Sequence, residues 1–155
     1  MKKIITIAVD AMGGDDSPNK ILKGIEYFNK NNDDVFYKIF GNQQIINQNL
    51  STINLSPNCY EIINSNEKIE NEDSALTAAK KGKSTSMWMA IDSVKNKNAD
   101  IVLSAGNTGA LFVIAKLNLK MIEKIDKPAL AGLWPNKIGL NVVLDLGANV
   151  ECNEK

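Results

Sequence analysis

Three short apolar runs in this chain each stop at a polar loop that carries glycine, and that repeated construction restricts the possible folds more than any other feature. The runs are residues 4–9, 100–103 and 140–144. They lead into Asp10-Ala11-Met12-Gly13-Gly14-Asp15-Asp16-Ser17, Ser104-Ala105-Gly106-Asn107-Thr108-Gly109 and Asp145-Leu146-Gly147-Ala148-Asn149. A continuous, β-branched apolar run reads as a strand covered on both faces. Helical spacing follows the first loop at Ile21, Leu22, Ile25 and Phe28, and the second loop over residues 110–119. Strands alternating with helices imply βαβ units, and therefore a mainly parallel sheet with helices on both faces. The expected fold is α/β, in three layers.

The intervening chain fits that scheme. Residues 35–40 and 59–63 read as further strands, with a helix over 43–50 between them that turns Ile45, Ile46 and Leu50 inward. Residues 64–73 form a polar, acidic loop long enough to raise the expectation of a function. A helix over 74–81 is broken by Gly82. Ser84-Thr85-Ser86 then caps a second helical run that places Met87, Ala90, Ile91 and Val94 on one face. Ser17 is the expected cap of the first helix, with Pro18 in its first position. Residues 129–134 and 140–144 are the last expected strands, separated by a turn at 136–139.

Composition excludes several kinds of function. Lysine plus arginine and aspartate plus glutamate both number 18, so no overall field favours nucleic acid or an anionic membrane surface. The absence of histidine removes the commonest general base, the usual nucleophilic triads and most zinc sites. The two cysteines, Cys59 and Cys152, lie far apart in no metal-binding pattern, which fits a reducing cytoplasm better than a disulfide framework. No stretch of sequence is long and apolar enough to span a bilayer. The length suits one domain.

The loops carry the chemistry. Strand ends of one polarity share one edge of a parallel sheet, so the three loops are expected to converge on one cleft, where open α/β sheets bind ligands. Gly13, Gly14 and Gly106 permit close approach of backbone N–H groups. The helix after Gly106 adds unpaired donors and a partial positive charge, which favours an anion. The alternative is a simple helix entry with Thr108 as its cap. Asp10, Asp15 and Asp145 either brace their loops or bind Mg²⁺; without metal-ligand spacing, bracing is the preferred reading and no metal is expected. Gly-x-Gly-x-x-Gly and Gly-x-x-x-x-Gly-Lys-Ser/Thr are both absent. Lys80, Lys81 and Lys83 with the hydroxyls after them read either as a basic helix start or as a solvated polar turn.

Asp10-Ala11-Met12-Gly13-Gly14-Asp15, the stretch from Ser104 to Leu111, and Leu144-Asp145-Leu146-Gly147-Ala148-Asn149-Val150 closely resemble the PlsX family of phosphate acyltransferases. Lys83 to Met87 and Pro128-Ala129-Leu130 are also similar to it, and the likeness runs along essentially the whole chain. The resemblance implies an isocitrate/isopropylmalate dehydrogenase-like or phosphotransacetylase-like architecture, usually a homodimer. It also implies transfer of a fatty acyl group from acyl carrier protein to inorganic phosphate, without a cofactor. The acyl phosphate would be used by a membrane glycerol-3-phosphate acyltransferase in phospholipid synthesis. The implied location is the cytoplasm, with the full-length protein peripheral at the inner membrane face.

Under that resemblance Asn107 and Lys83 are the catalytic candidates. Gly106, Asn107, Thr108 and Gly109 would hold phosphate or an oxyanion, and Lys83 would neutralise charge. Asp10, Gly13 and Gly14 would shape the floor, and Asp15, Ser104, Asp145, Gly147 and Asn149 complete the binding set. Two departures stand out. Family members often have histidine where this chain has Asp16, and they continue well beyond Lys155. Residues 1–155 are therefore expected to be the N-terminal part of a single α/β catalytic domain. The rival readings are a phosphotransacetylase-like enzyme or a decarboxylating dehydrogenase on the same architecture, and a non-catalytic anion- or carrier-protein-binding fragment.

Overall fold

A computed structural model describes residues 4–125 and 127–146. Of these, the residues up to Leu119 belong to one compact unit and those from Lys120 to a second.

In the first unit the elements are β1 (Ile5–Asp10), α1 (Asn19–Asn29), β2 (Val35–Gly41), α2 (Gln43–Leu50), β3 (Tyr60–Asn64), α3 (Ala75–Lys81), α4 (Ser86–Lys95), β4 (Ile101–Ser104) and α5 (Thr108–Asn118). The strands form one sheet in the order β3-β2-β1-β4, and every pairing is parallel. Alternation along β1 and β2 explains the layering, because successive side chains point to opposite faces. Val9, Tyr37 and Ile39 meet Leu22 and Ile25 of α1 and Ile46 of α2 on one face. Ala8 and Phe40 meet Ala90 of α4 on the other. Met87 and Ile91 of α4 pack with Ala110 and Ile114 of α5 and Ala78 of α3. The arrangement is the three-layer α/β/α fold.

Several local expectations are corrected. Ser17 does not cap α1: its hydroxyl donates to the carbonyl of Gly13, and Pro18 occupies the cap position without a side-chain bond. β4 is not a fully buried strand. It lies at the end of the sheet order, and Ile101 and Leu103 are each 51% exposed. Gly82 ends α3 with φ +87°, a conformation that suits glycine, and Thr85 alone supplies the cap of α4.

The second unit holds β5 (Ala131–Pro135) and β6 (Leu140–Leu144), which pair with each other as an antiparallel hairpin. The turn is closed by Asn136, whose side-chain oxygen accepts from the N–H groups of Ile138 and Gly139. A parallel crossover needs a dozen or more residues, and residues 136–139 are too short a connection for one. The parallel-sheet argument that would carry Asp145 to the edge shared by the other loops therefore does not apply.

Candidate functional site

The parallel register levels the carboxyl ends of the strands. Asp10, the last residue of β1, stands opposite both Phe40 of β2 and Ser104 of β4. Its carboxylate is buried and accepts from the Ser104 hydroxyl and from the Ser86 hydroxyl, each at 2.7 Å. The N–H of Met12 adds a bond at 3.3 Å. Asp10 thus ties the ends of β1 and β4 to the first turn of α4. Such a buried carboxylate needs several donors, because an unsatisfied one is costly.

The first and second glycine loops interlock directly above this brace. A Cβ on Gly13 would lie 2.6 Å from Asp10 Oδ2 and 2.9 Å from the nitrogen of Gly106. One on Gly14, whose φ is +86°, would lie 2.5 Å from the carbonyl oxygen of Ala105. These two glycines make room for the neighbouring loop. Gly109 differs, since the nearest atom to a Cβ there would be 3.4 Å away.

Asn107 caps α5. Its side-chain oxygen accepts from the N–H of Ala110 at 2.9 Å, and its carbonyl accepts from Leu111 in the first regular helical turn. The N–H groups of Thr108 and Gly109 have no partner inside the helix, as the first residues of any α-helix do not. Both residues are exposed. The alternative in which Thr108 caps the helix is set aside, because Thr108 is its first residue.

The other half of the Asn107 amide faces the acidic loop. Its nitrogen donates to the carbonyls of Asn71, at 2.8 Å, and of Asp73, at 2.9 Å. Asn71 in turn donates to the Asp15 carboxylate at 2.8 Å. Residues 65–73 are thereby fastened to both glycine loops. Their other end is held by Ser86 N–H on the Glu67 carbonyl and by the Ser65 hydroxyl. Asp73 also accepts from Lys81 and from the N–H of Glu70. The Lys81 hydrogen bond, helped by that N–H, holds the Asp73 carboxyl below its ordinary 3.8.

The structure thus brings Asp10, Gly13, Gly14, Asp15, Ser104, Gly106, Asn107, Thr108 and Gly109 to one edge of the first unit. Among the described residues, Lys83 takes part in none of their hydrogen bonds and instead lines a cavity beside α4 with Trp88 and Asn118. Asp145 belongs to the second unit. Gly147, Asn149 and Cys152 lie outside the described residues. Ser86, Asn71 and Asp73 were not singled out from the sequence. Ser86 reads there as one of three capping hydroxyls, and only the length of the acidic loop pointed to the other two. Among the described residues no group of three histidine, cysteine or acidic side chains stands close enough to hold a metal ion. Nor is any helix among them long and apolar enough to cross a membrane.

The class so defined is an α/β/α protein whose first two candidate loops gather at the carboxyl ends of parallel strands. The fatty acid synthesis protein family matches residues 5–155. A phosphate acyltransferase of Pelagibacter ubique is 59% identical over 155 residues, which are 100% of this chain and 46% of the relative. Those of Paramagnetospirillum magneticum and Parvibaculum lavamentivorans are 36% and 40% identical, over 99% and 97% of this chain and 44% and 42% of theirs. The chain belongs to the fatty acid synthesis protein family, as the PlsX resemblance implies, and spans less than half the length of these curated relatives.

Proposed function

We propose that this chain supplies the phosphate-binding part of an acyltransferase that moves a fatty acyl group from acyl carrier protein to inorganic phosphate. The observation that carries the reading is the exposed start of α5, where the Thr108 and Gly109 N–H groups have no partner among the described residues and stand beside two interlocked loops. Such a helix end suits an anion. The relatives' name, phosphate acyltransferase, supports phosphate as that anion.

The chemistry needs little from the protein beyond placement. Phosphate at neutral pH is already an anionic nucleophile. Its oxygen attacks the thioester carbon, a C–O bond forms, and the carbonyl oxygen takes up negative charge. The C–S bond then breaks, and the thiolate leaves and takes a proton from solvent. Holding the reactants together and offering fixed donors to the oxyanion accounts for the acceleration. Thr108 and Gly109 bind the phosphate or the oxyanion; the Gly106 N–H donates to the Ser104 hydroxyl at 3.1 Å, and Gly106 is retained as a candidate from the sequence. Asp10, Gly13, Gly14 and Ser104 fix the loops, and Asn107 with Asp15 keeps the acidic loop beside them. Asp145, Gly147 and Asn149 are retained as candidates from the sequence. Lys83 has no part in this seat.

The wider setting rests on the resemblance: a homodimer in the cytoplasm, close to the membrane in the full-length protein, whose acyl phosphate a membrane glycerol-3-phosphate acyltransferase consumes in phospholipid synthesis. The test is acyl-phosphate formation from acyl carrier protein thioester and phosphate, trapped with hydroxylamine. This chain is run beside the same chain extended to the length of its relatives. Hydroxamate from the extended protein, dependent on phosphate, supports the reading; none from a folded extended protein refutes it.

A further inference from the structure

Ser86 is the first residue of α4 and is only 1% exposed. The helix does not need its hydroxyl as a cap, because the Thr85 side chain accepts from the N–H of Trp88. The hydroxyl donates instead to Oδ1 of Asp10, at 2.7 Å. On its other oxygen, Asp10 accepts from the Ser104 hydroxyl at 2.7 Å. Ser104 gives its proton to that bond and accepts the N–H of Gly106 at 3.1 Å. The donors and acceptors therefore run in one chain, from Ser86 through Asp10 and Ser104 to the Gly106 peptide, two residues before Thr108.

Gly106 is also packed tightly. A Cβ there would lie 3.1 Å from the Cα of Gly13, 3.1 Å from the terminal methyl of Met87 and 3.3 Å from the Ser104 hydroxyl. Met87 follows Ser86 in the first turn of α4. That turn thus supports Gly106 twice, once by direct packing and once through the hydrogen-bond chain. A close-packed interior transmits a small displacement rather than absorbing it. The main-chain N–H of Ser86 donates separately to the Glu67 carbonyl at 3.1 Å, so alanine at position 86 would cut the link to Asp10 and keep the link to the acidic loop.

We propose that Ser86 is a positioning residue for the seat at the start of α5, acting through Asp10 and Ser104 on the Gly106 peptide without touching the ligand. The inference rests on the reading that the Thr108 and Gly109 N–H groups bind phosphate. Without the Ser86 hydroxyl, a buried carboxylate loses a charge-assisted donor where no solvent replaces it. On that oxygen it keeps the Met12 N–H, at 3.3 Å. Asp10 then turns toward its remaining donors, and Ser104 and Gly106 follow. The N–H groups beyond Gly106 lose their aim, and phosphate binding weakens while the hold on the acyl donor stays as it was.

The test measures the phosphate KM, the acyl-donor KM and the thermal midpoint of the full-length protein. Ser86→Ala raises the phosphate KM at least about fivefold, a modest share of the roughly 100-fold that a 1 Å misplacement can cost, and leaves the acyl-donor KM near the parent value. Ser86→Cys, close in size and a weak donor, makes the same test if Ser86→Ala does not fold. Ser104→Ala raises the phosphate KM too. Because both serines act through Asp10, the double variant raises it by clearly less than the product of the two single effects. A lower thermal midpoint with both KM values unchanged overturns the proposal, and so does a double variant whose effect equals that product. Thr108→Pro separates this inference from the reading beneath it. If Thr108→Pro raises the phosphate KM and folded Ser86→Ala does not, Ser86 has no positioning role and the seat stands. If neither variant moves it, the seat itself is refuted and the role of Ser86 falls with it.

Discussion

The side-chain amide of Asn107 donates to the main-chain carbonyl of Asp73, 2.9 Å away and 34 residues earlier in the chain. One side chain therefore starts α5 with its oxygen and secures the acidic loop with its nitrogen. Asn107 was a catalytic candidate by its place in the motif. Both ends of the amide are engaged by the protein itself.

Asn107→Asp separates the two duties. Aspartate still caps α5 and suits its dipole, but it cannot donate to Asn71 and Asp73. The lost pair of bonds is worth about 1–3 kcal/mol. Hydrogen exchange should speed up over residues 70–74 by the corresponding factor while the first turn of α5 keeps its protection. Equal loosening of both regions would mean that the clasp has no separate existence.

Two glycines should respond in opposite directions to alanine. Gly14 has φ +86°, and its Cβ would press on the Ala105 carbonyl oxygen, so Gly14→Ala should destabilise by at least about 1–2 kcal/mol. Gly24 lies within α1 and a Cβ there meets nothing within 4 Å. Gly24→Ala should stabilise by about 0.5–1 kcal/mol. Denaturant midpoints measure both.

The Lys81 pair gives the acidic loop an acid limit. The Asp73 carboxyl is held below its ordinary 3.8. A group lowered on folding adds stability that is complete above its unfolded value and is lost as pH falls through the folded one. Acid should therefore weaken the loop below about pH 4, the usual carboxylate range, and Asp73→Asn should remove that part of the pH dependence. An unchanged acid profile of hydrogen exchange over residues 70–74 in Asp73→Asn would contradict this.

Much of the first unit was legible because periodicity and turn chemistry are local. The strands and helices fall where apolar spacing puts them, to within a few residues. What was not legible depends on pairing at a distance. Nothing near Ser17 says that its hydroxyl will go back to Gly13, and nothing near Gly13 says that Gly106 will fill the space beside it. Both glycines read as places of close backbone approach, and each is approached by the opposite loop. The hairpin of β5 and β6 was within reach, because a four-residue connection at 136–139 cannot make a parallel crossover. Lys83 adjoins a hydroxyl-rich helix start in sequence, but the turn carries it into the α4 cavity.

The central claim is that backbone N–H groups at the start of α5 hold phosphate, and Thr108→Pro tests it most directly. Proline fits the first helical position without strain. Asn107, at φ −57° and ψ 114°, lies outside the α region that a following proline disfavours. The substitution thus deletes one donor and leaves the helix in place. Thr108→Ala serves as the control that loses the hydroxyl but keeps the N–H. In the full-length protein the apparent phosphate KM should rise about tenfold or more in Thr108→Pro, the worth of one charge-assisted bond, and stay near the parent value in Thr108→Ala. A phosphate KM unchanged in folded Thr108→Pro would contradict the account and move the anion away from α5.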